Sequence, residues 1–180
     1  MPTFHIAPAS LHRLRRRLLA AGPGVAAEIL QDAGFATGEA MFASWSARVA
    51  ERTGVEDSGR LDASWFGPLL TDLCANLGWG TLAVDSLGDR AVLLSSLDWE
   101  EAAVGSAEHA GCYFSCGCFA AFLTAQAGAP LAVLEVECRS CGGGQCRFLA
   151  GSTEMLAAVY DLVAAGRTWR DAFAPEELPD

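Results

Sequence analysis

The sequence predicts an α+β fold: an antiparallel sheet of two hairpins covered by helices. Three observations carry this. Up to about residue 78, apolar residues recur three and four apart, the spacing of helices with one buried face. From residue 80 onward, two pairs of apolar runs are each joined by a glycine-containing turn, the pattern of hairpins. Between and after these pairs lie two further stretches with helical spacing.

Residues 1–9 read as a poorly ordered entry. Ser10 is the expected N-cap of a helix that runs through Leu11, Leu14 and Leu18 to about residue 21. Gly22-Pro23-Gly24 punctuates the chain, and a second helix with Val25, Ile29 and Leu30 is expected to stop at Gly34. A third, from about 37 to 53, places Met41, Phe42, Trp45 and Val49 on one face. Residues 54–59 form a polar loop. Asp62 or Ser64 then caps a helix that buries Phe66, Leu69, Leu70, Leu73 and Leu77 and ends at Gly78. Cys74, on its apolar face, reads as core.

The texture then changes to strands at 80–87 and 90–97, joined around Gly88-Asp89 and bracketed by Trp79 and Trp99. Residues 100–111 read as a loop. A compact helix, rich in Cys, Phe and Ala, spans 112–127 and ends at Gly128-Ala129-Pro130. Strands at 131–138 and 146–150 form the second hairpin, with consecutive glycines as its turn. Ser152 or Thr153 caps a last amphipathic helix carrying Leu156, Val159, Tyr160 and Val163, and the acidic tail is expected to fray. The helices are expected to lie on one face of the sheet. The chain, 1–180, reads as a single domain with a helical part (1–78) and a hairpin–helix–hairpin–helix part (79–170). The helical part is the expected dimerisation region, through an exposed stripe of Met41, Phe42 and Trp45; packing of that stripe on the sheet is an equal alternative.

Composition narrows the function. With 52% hydrophobic residues, 180 residues bury a substantial core. A formal net charge of −10 argues against nucleic-acid binding, which needs concentrated basic charge. The one basic cluster, Arg13, Arg15, Arg16 and Arg17, reads as the solvated face of the first helix. No apolar run has the length of a membrane span and no signal-peptide pattern opens the chain, so the expected location is cytoplasmic. In that compartment seven cysteines, an odd number, point to metal ligation or buried thiols instead of a disulfide framework.

The chemistry concentrates in Glu135-Val136-Glu137-Cys138-Arg139-Ser140-Cys141-Gly142-Gly143-Gly144-Gln145-Cys146. Thiols and carboxylates around a glycine turn supply anionic ligands and a backbone able to fold them toward one point. The candidates exceed the four that a tetrahedral site takes: Glu135, Glu137, Cys138, Cys141 and Cys146 locally, and Cys112, Cys116 and Cys118 from the preceding helix. Cys138 and Cys146 flank the turn and can converge. A helix N-terminus at Cys112 favours its thiolate, and Cys116, one turn on, remains open. On a regular strand Glu135 and Cys138 point to opposite faces, so their joint use requires a bulge or a strand end.

The stretch from Cys112 to Phe148 resembles the signature of the 4-vinyl reductase domain family, in particular the zinc-bearing aromatic-sensing input domains of phenol-responsive bacterial regulators. There a helix-borne Cys is followed by Glu 23 residues on, Cys three further and Cys eight further. Cys112, Glu135, Cys138 and Cys146 meet every interval. The resemblance implies that these four hold a structural Zn2+, with no open coordination position, and that Cys141 is not a ligand. It also implies a 4-vinyl reductase / TRAPP-like ligand-binding fold with a mostly apolar pocket between sheet and helices. Candidate lining residues are Trp65, Phe66, Trp79, Leu93, Trp99, Phe119, Phe122 and Val133. Val133 stands where the phenol sensors carry an aromatic, and no His–Trp pair aligns with the two that hold the phenol hydroxyl. Phenol is therefore not the implied ligand. His109 reads as a solvated loop residue.

Two functions follow as expectations. One is a zinc-stabilised sensor or carrier of a hydrophobic, aromatic or tetrapyrrole-like small molecule, homodimeric, passing any signal to a separate output protein. The alternative is a 4-vinyl reductase-like enzyme or accessory protein of bacteriochlorophyll biosynthesis. Against catalysis, Gly22-Pro23-Gly24 follows no strand and lacks the third glycine of a dinucleotide fingerprint, and no catalytic residues stand out beyond the metal ligands.

Overall fold

The computed structural model describes residues 7–107, 109–175 and 178; residues 1–6, the greater part of the expected poorly ordered entry, lie outside the described residues. Helix α1 spans Pro8–Ala21, α2 Pro23–Thr53 and α3 Ala63–Asn76. Strands β1 (Ala83–Leu87) and β2 (Ala91–Ser96) follow, then α4 (Tyr113–Ala127), β3 (Ala132–Glu137), β4 (Cys146–Gly151) and α5 (Thr153–Ala164). All strand pairs are antiparallel in the order β1-β2-β4-β3, so the two predicted hairpins join through β2 and β4.

Several boundaries differ from the sequence expectation, each for a local reason. Helix α1 begins at Pro8 instead of after Ser10, because a proline at the first helical position has its φ already set and no N–H to satisfy. Pro23 starts α2 in the same way. Helix α2 does not stop at Gly34; it continues for 31 residues. Gly34 and Gly38 lie on the face pressed against α4. A Cβ on Gly34 would stand 2.0 Å from the Phe114 carbonyl oxygen, and one on Gly38 2.2 Å from that of Cys118. Reciprocally, a Cβ on Gly117 would meet the Gln31 carbonyl oxygen at 2.0 Å. Glycine inside a helix costs about 1 kcal/mol relative to alanine; here it lets two backbones touch.

The same α2 face buries Met41, Trp45 and Val49, so the stripe expected to drive self-association is core. Trp45 sits edge-on to Phe66 and Phe122, and its indole N–H donates to Gln126 Oε1 at 2.6 Å. Cys74 is buried in this core, as expected. The apolar side chains left exposed on α1 and α2 are Leu14, Val25, Ile29 and Phe35.

The sheet has two covered faces, not one. Leu94, Phe148 and Ala150 face α2, α3 and α4. Leu93 and Leu149, one residue out of phase, face α5 and the tail. The tail does not simply fray. A 3-10 turn at Trp169–Ala172 buries Trp169 and Phe173 against this second face, and the Trp169 indole N–H donates to Glu137. Ser152, Asp62 and Gly128 cap their helices where the sequence placed them.

Candidate functional site

The site begins with one extra residue. Glu135 pairs with Phe148, whereas Glu137 pairs with the adjacent Arg147, so β3 bulges at Val136. The bulge reverses the face on which the following residues point. Glu135 therefore shares the inner face with Phe148, and Glu137 is sent to the outer face, where it binds Arg147 at 3.1 Å. Cys138 returns to the inner side with Glu135. The required bulge is thus present, and it separates the two glutamates chemically.

The turn beyond Cys138 is built backbone against backbone. Gly143 N–H donates to the Cys138 carbonyl at 2.9 Å, and a Cβ on Gly143 would lie 2.7 Å from that same oxygen. Gly142 has a positive φ of 91°, a conformation available at little cost only to glycine. The turn brings Cys146, the first residue of β4, back to Cys138. The fourth group comes from Cys112, the N-cap of α4.

The three sulfur atoms and a Glu135 carboxylate oxygen lie within 4.8 Å of one another, all on buried residues, so these four residues could hold a metal ion. Cys112 and Cys138 Sγ are 3.9 Å apart. That is too long for a disulfide and close to the ~3.8 Å edge of a tetrahedron whose centre lies ~2.3 Å from each sulfur. Glu135 Oε2 accepts the backbone N–H groups of Gly111 and Cys112, each at 2.8 Å, while Glu135 Oε1 is buried without a hydrogen-bond partner. An orphaned carboxylate oxygen aimed among three thiols fits a cation. The Cys138 sulfur also accepts the Ser140 N–H at 3.3 Å, which favours its thiolate.

The electrostatics agree. The neighbouring Cys112 and Cys146 thiols hold Cys138 far below the usual thiol range. Burial, and then the Cys138 charge, pushes Glu135 up to about 8. Cys112 is raised, not lowered as its helix position suggested, because it donates toward Cys138 and Cys146 and is buried. Four anions at this spacing need a positive partner.

The other thiols stand apart from this cluster. Cys141 is exposed and donates to the Cys138 carbonyl at 3.3 Å; Cys116 and Cys118 are buried, with Cys118 against Met41.

Further buried charges surround the cluster, and no local sequence pattern points to them. Glu101 is buried and accepts from Ser115 N–H at 2.8 Å and Phe114 N–H at 3.2 Å, an anion at the α4 N-terminus. Burial raises its pKa against the opposing effect of Ser115 and Arg15. Arg15 is not solvated: it is 3% exposed, with Nε donating to the Gly111 carbonyl at 3.0 Å and 4.0 Å from Glu101. Arg13, Arg16 and Arg17 are exposed, as predicted. The 100–111 loop is tied to the glycine turn by Gly105 and Ala107 N–H donating to the Arg139 and Ser140 carbonyls. His109 is exposed.

An apolar pocket of about 400 Å3 lies on the other side of the α4 N-terminus. Leu11 and Leu18 of α1, Ile29 of α2, Trp79, Trp99 and Phe114 form its walls, with Ser115 and Glu101 at one end. Of the predicted lining residues only Trp79 and Trp99 border it. Phe66, Phe119 and Phe122 pack into the core between helices and sheet. Leu93 faces α5, because it is one residue out of phase with Leu94, and Trp65 is 48% exposed on the outer side of α3. Val133 borders a separate cleft of about 370 Å3 with Phe35 and Cys116.

Residues 98–152, which span the loop, α4 and the metal-cluster hairpin, match the model of the 4-vinyl reductase domain family. This is the family whose ligand spacing the sequence resembles. No curated protein matches the chain. Among solved structures the chain is similar to the phenol-responsive sensory domain of the transcription activator PoxR, crystallised with phenol. Identity is 19% and the TM-score 0.63, over 86% of this chain and 78% of that one. The two share a fold. Among the described residues, no helix is long and apolar enough to cross a membrane.

Proposed function

We propose that this chain is a zinc-stabilised sensor or carrier domain for a hydrophobic small molecule, with Cys112, Glu135, Cys138 and Cys146 holding the ion. Zinc suits three thiolates and one carboxylate in a buried, four-ligand set, and such a set leaves no position for substrate. The ion would be structural, fastening α4 to the β3–β4 hairpin. One observation carries the functional reading: the first turn of α4 serves two sites. Its N-cap supplies Cys112 to the metal cluster, and the next residues, Phe114 and Ser115, line the apolar pocket.

The pocket has the form of a small-molecule site, apolar with a few polar groups at one end, and its volume is near the low end of the usual range of about 300–1,000 Å3. An aromatic ligand of one to three rings fits it better than a tetrapyrrole. The neighbouring carboxylates of Glu100 and Glu101 favour a neutral or cationic molecule over an anion. Self-association, if it uses α1 and α2, would cover Leu14, Val25 and Ile29.

Thermal shift and fluorescence titration with the neutral probe N-phenyl-1-naphthylamine test the reading. Saturable binding is expected, weakened at least tenfold by Leu18→Trp, which fills the pocket from α1. No absorbance change is expected when NADPH is added. No binding of any neutral aromatic probe would overturn the sensor reading, and NADPH-dependent conversion of a vinyl pigment would replace it with the enzymatic one.

A pH dependence follows from the ligands. The free carboxyl of Glu135 has its folded pKa raised from the ordinary 4.5 to about 8. Its contribution to stability is therefore full below about pH 4.5 and lost as pH rises through 8, in protein without metal. Binding a metal needs the carboxylate and thiolates, so metal affinity changes in the opposite sense and strengthens over that window. Competition with a chelator between pH 6 and 8 checks this; an affinity independent of pH contradicts it.

A further inference from the structure

Arg15 is the one member of its basic cluster that the fold takes inside, and a buried guanidinium is costly unless its donors are used. Nε donates to the Gly111 carbonyl at 3.0 Å, and Nη1 reaches Ser140 Oγ at 3.5 Å. Those two residues have something in common. Gly111 N–H donates to Glu135 Oε2, and Ser140 N–H donates to Cys138 Sγ. Arg15 therefore grips, from a residue nearly a hundred positions earlier in the chain, both residues whose amides hydrogen-bond to candidate ligands. Its third nitrogen, Nη2, is buried without a partner, 3.0 Å from where a Cβ on Gly111 would stand. Glu101, 4.0 Å away, is the acid that faces it, itself engaged by Ser115 and Phe114.

We infer that Arg15 is a positioning residue for the metal centre. It holds the Gly111 and Ser140 peptides where they orient Glu135 and Cys138, and it places a positive charge beside a ligand set that keeps excess negative charge after a divalent ion binds. The same helix turns Leu11 and Leu18 into the apolar pocket, so Arg15 also fastens a pocket wall to the metal turn. Outer contacts of this kind typically change metal affinity by about 10–100-fold. Lysine cannot replace arginine here, because a single ammonium does not bridge two acceptors as a planar fork does.

This rests on the reading of Cys112, Glu135, Cys138 and Cys146 as ligands. The test is zinc release from the purified full chain to a chromophoric chelator, comparing wild type, Arg15→Gln, Arg15→Lys and Leu19→Ala, with thermal unfolding of each. Leu19, on α1 but neither a pocket residue nor in contact with the turn by hydrogen bond, reports on loosening of the helix alone. The expected result is release at least tenfold faster for both arginine variants and near wild type for Leu19→Ala. Should Arg15→Gln fail to fold, Arg15→Lys decides, since it keeps the charge and most of the volume. Release unchanged in Arg15→Lys, or equally accelerated in Leu19→Ala, overturns the positioning role and leaves the metal centre standing. Wild type that carries no zinc overturns the centre and this inference with it.

Discussion

Cys138→Ser is expected to abolish stoichiometric metal binding and to lower stability by more than about 4 kcal/mol, the scale on which loss of a structural metal acts. For a chain of this length that is a fall in Tm of about 10 °C or more. The reason lies in how much of the fold meets at that sulfur. Cys138 ends β3, its carbonyl anchors the Gly143 turn, and its Sγ accepts from Ser140 and faces Cys112. Without an ion, the α4 N-terminus and the hairpin would be joined by repelling groups instead of a staple. Cys146→Ser is expected to behave alike. Cys141→Ser, three residues from Cys138 and exposed, is expected to stay within about 0.5 kcal/mol of wild type with its metal content unchanged. Elemental analysis and thermal unfolding on the three variants check this. Loss of metal in Cys141→Ser would mean that the turn uses a different ligand set.

Gly34→Ala is expected to cost about 3 kcal/mol or more, although alanine gains about 1 kcal/mol over glycine in an unconstrained helix. The added methyl would stand 2.0 Å from the Phe114 carbonyl oxygen, which is backbone and cannot rotate away, so one helix must move by more than an ångström. Gly38→Ala meets the Cys118 carbonyl at 2.2 Å, further along α4, and should cost a similar amount. The two differ in what they disturb. Phe114 lies two residues from Cys112, so Gly34→Ala should also speed metal release, whereas Gly38→Ala should chiefly lower Tm. Thermal unfolding and chelator competition on both variants separate these outcomes. Gly34→Ala with wild-type Tm would mean that the helices do not touch backbone to backbone.

These glycines show where reading the chain locally fails. Gly34 in sequence looks like a helix stop, because a glycine's usual cause is conformational; its cause here is a contact with Phe114, far along the chain. Arg15 misleads for the same reason. Three exposed arginines beside it make a solvated face the natural reading, and only the fold brings Gly111, Ser140 and Glu101 to it. Glu101 caps a helix from 13 residues away, outside any local capping pattern. The tail's Trp169 and Phe173 are hidden by the charged residues around them. What is legible is what short-range chemistry dictates: both hairpins, the caps at Asp62 and Ser152, and the need for a bulge between Glu135 and Cys138. The intervals among Cys112, Glu135, Cys138 and Cys146 carry the family resemblance. The pocket is not legible, because Phe66, Phe119 and Phe122 carry the same apolar signal whether they line a cavity or fill a core.

X-ray absorption at the zinc edge, on full-length protein purified without added metal, addresses the central claim most directly. One zinc per chain is expected, with a coordination sphere fitted by three sulfurs at about 2.3 Å and one oxygen at about 2.0–2.2 Å. A four-sulfur sphere would replace Glu135 with a fourth thiol, and protein that is fully stable without metal would remove the staple from the account.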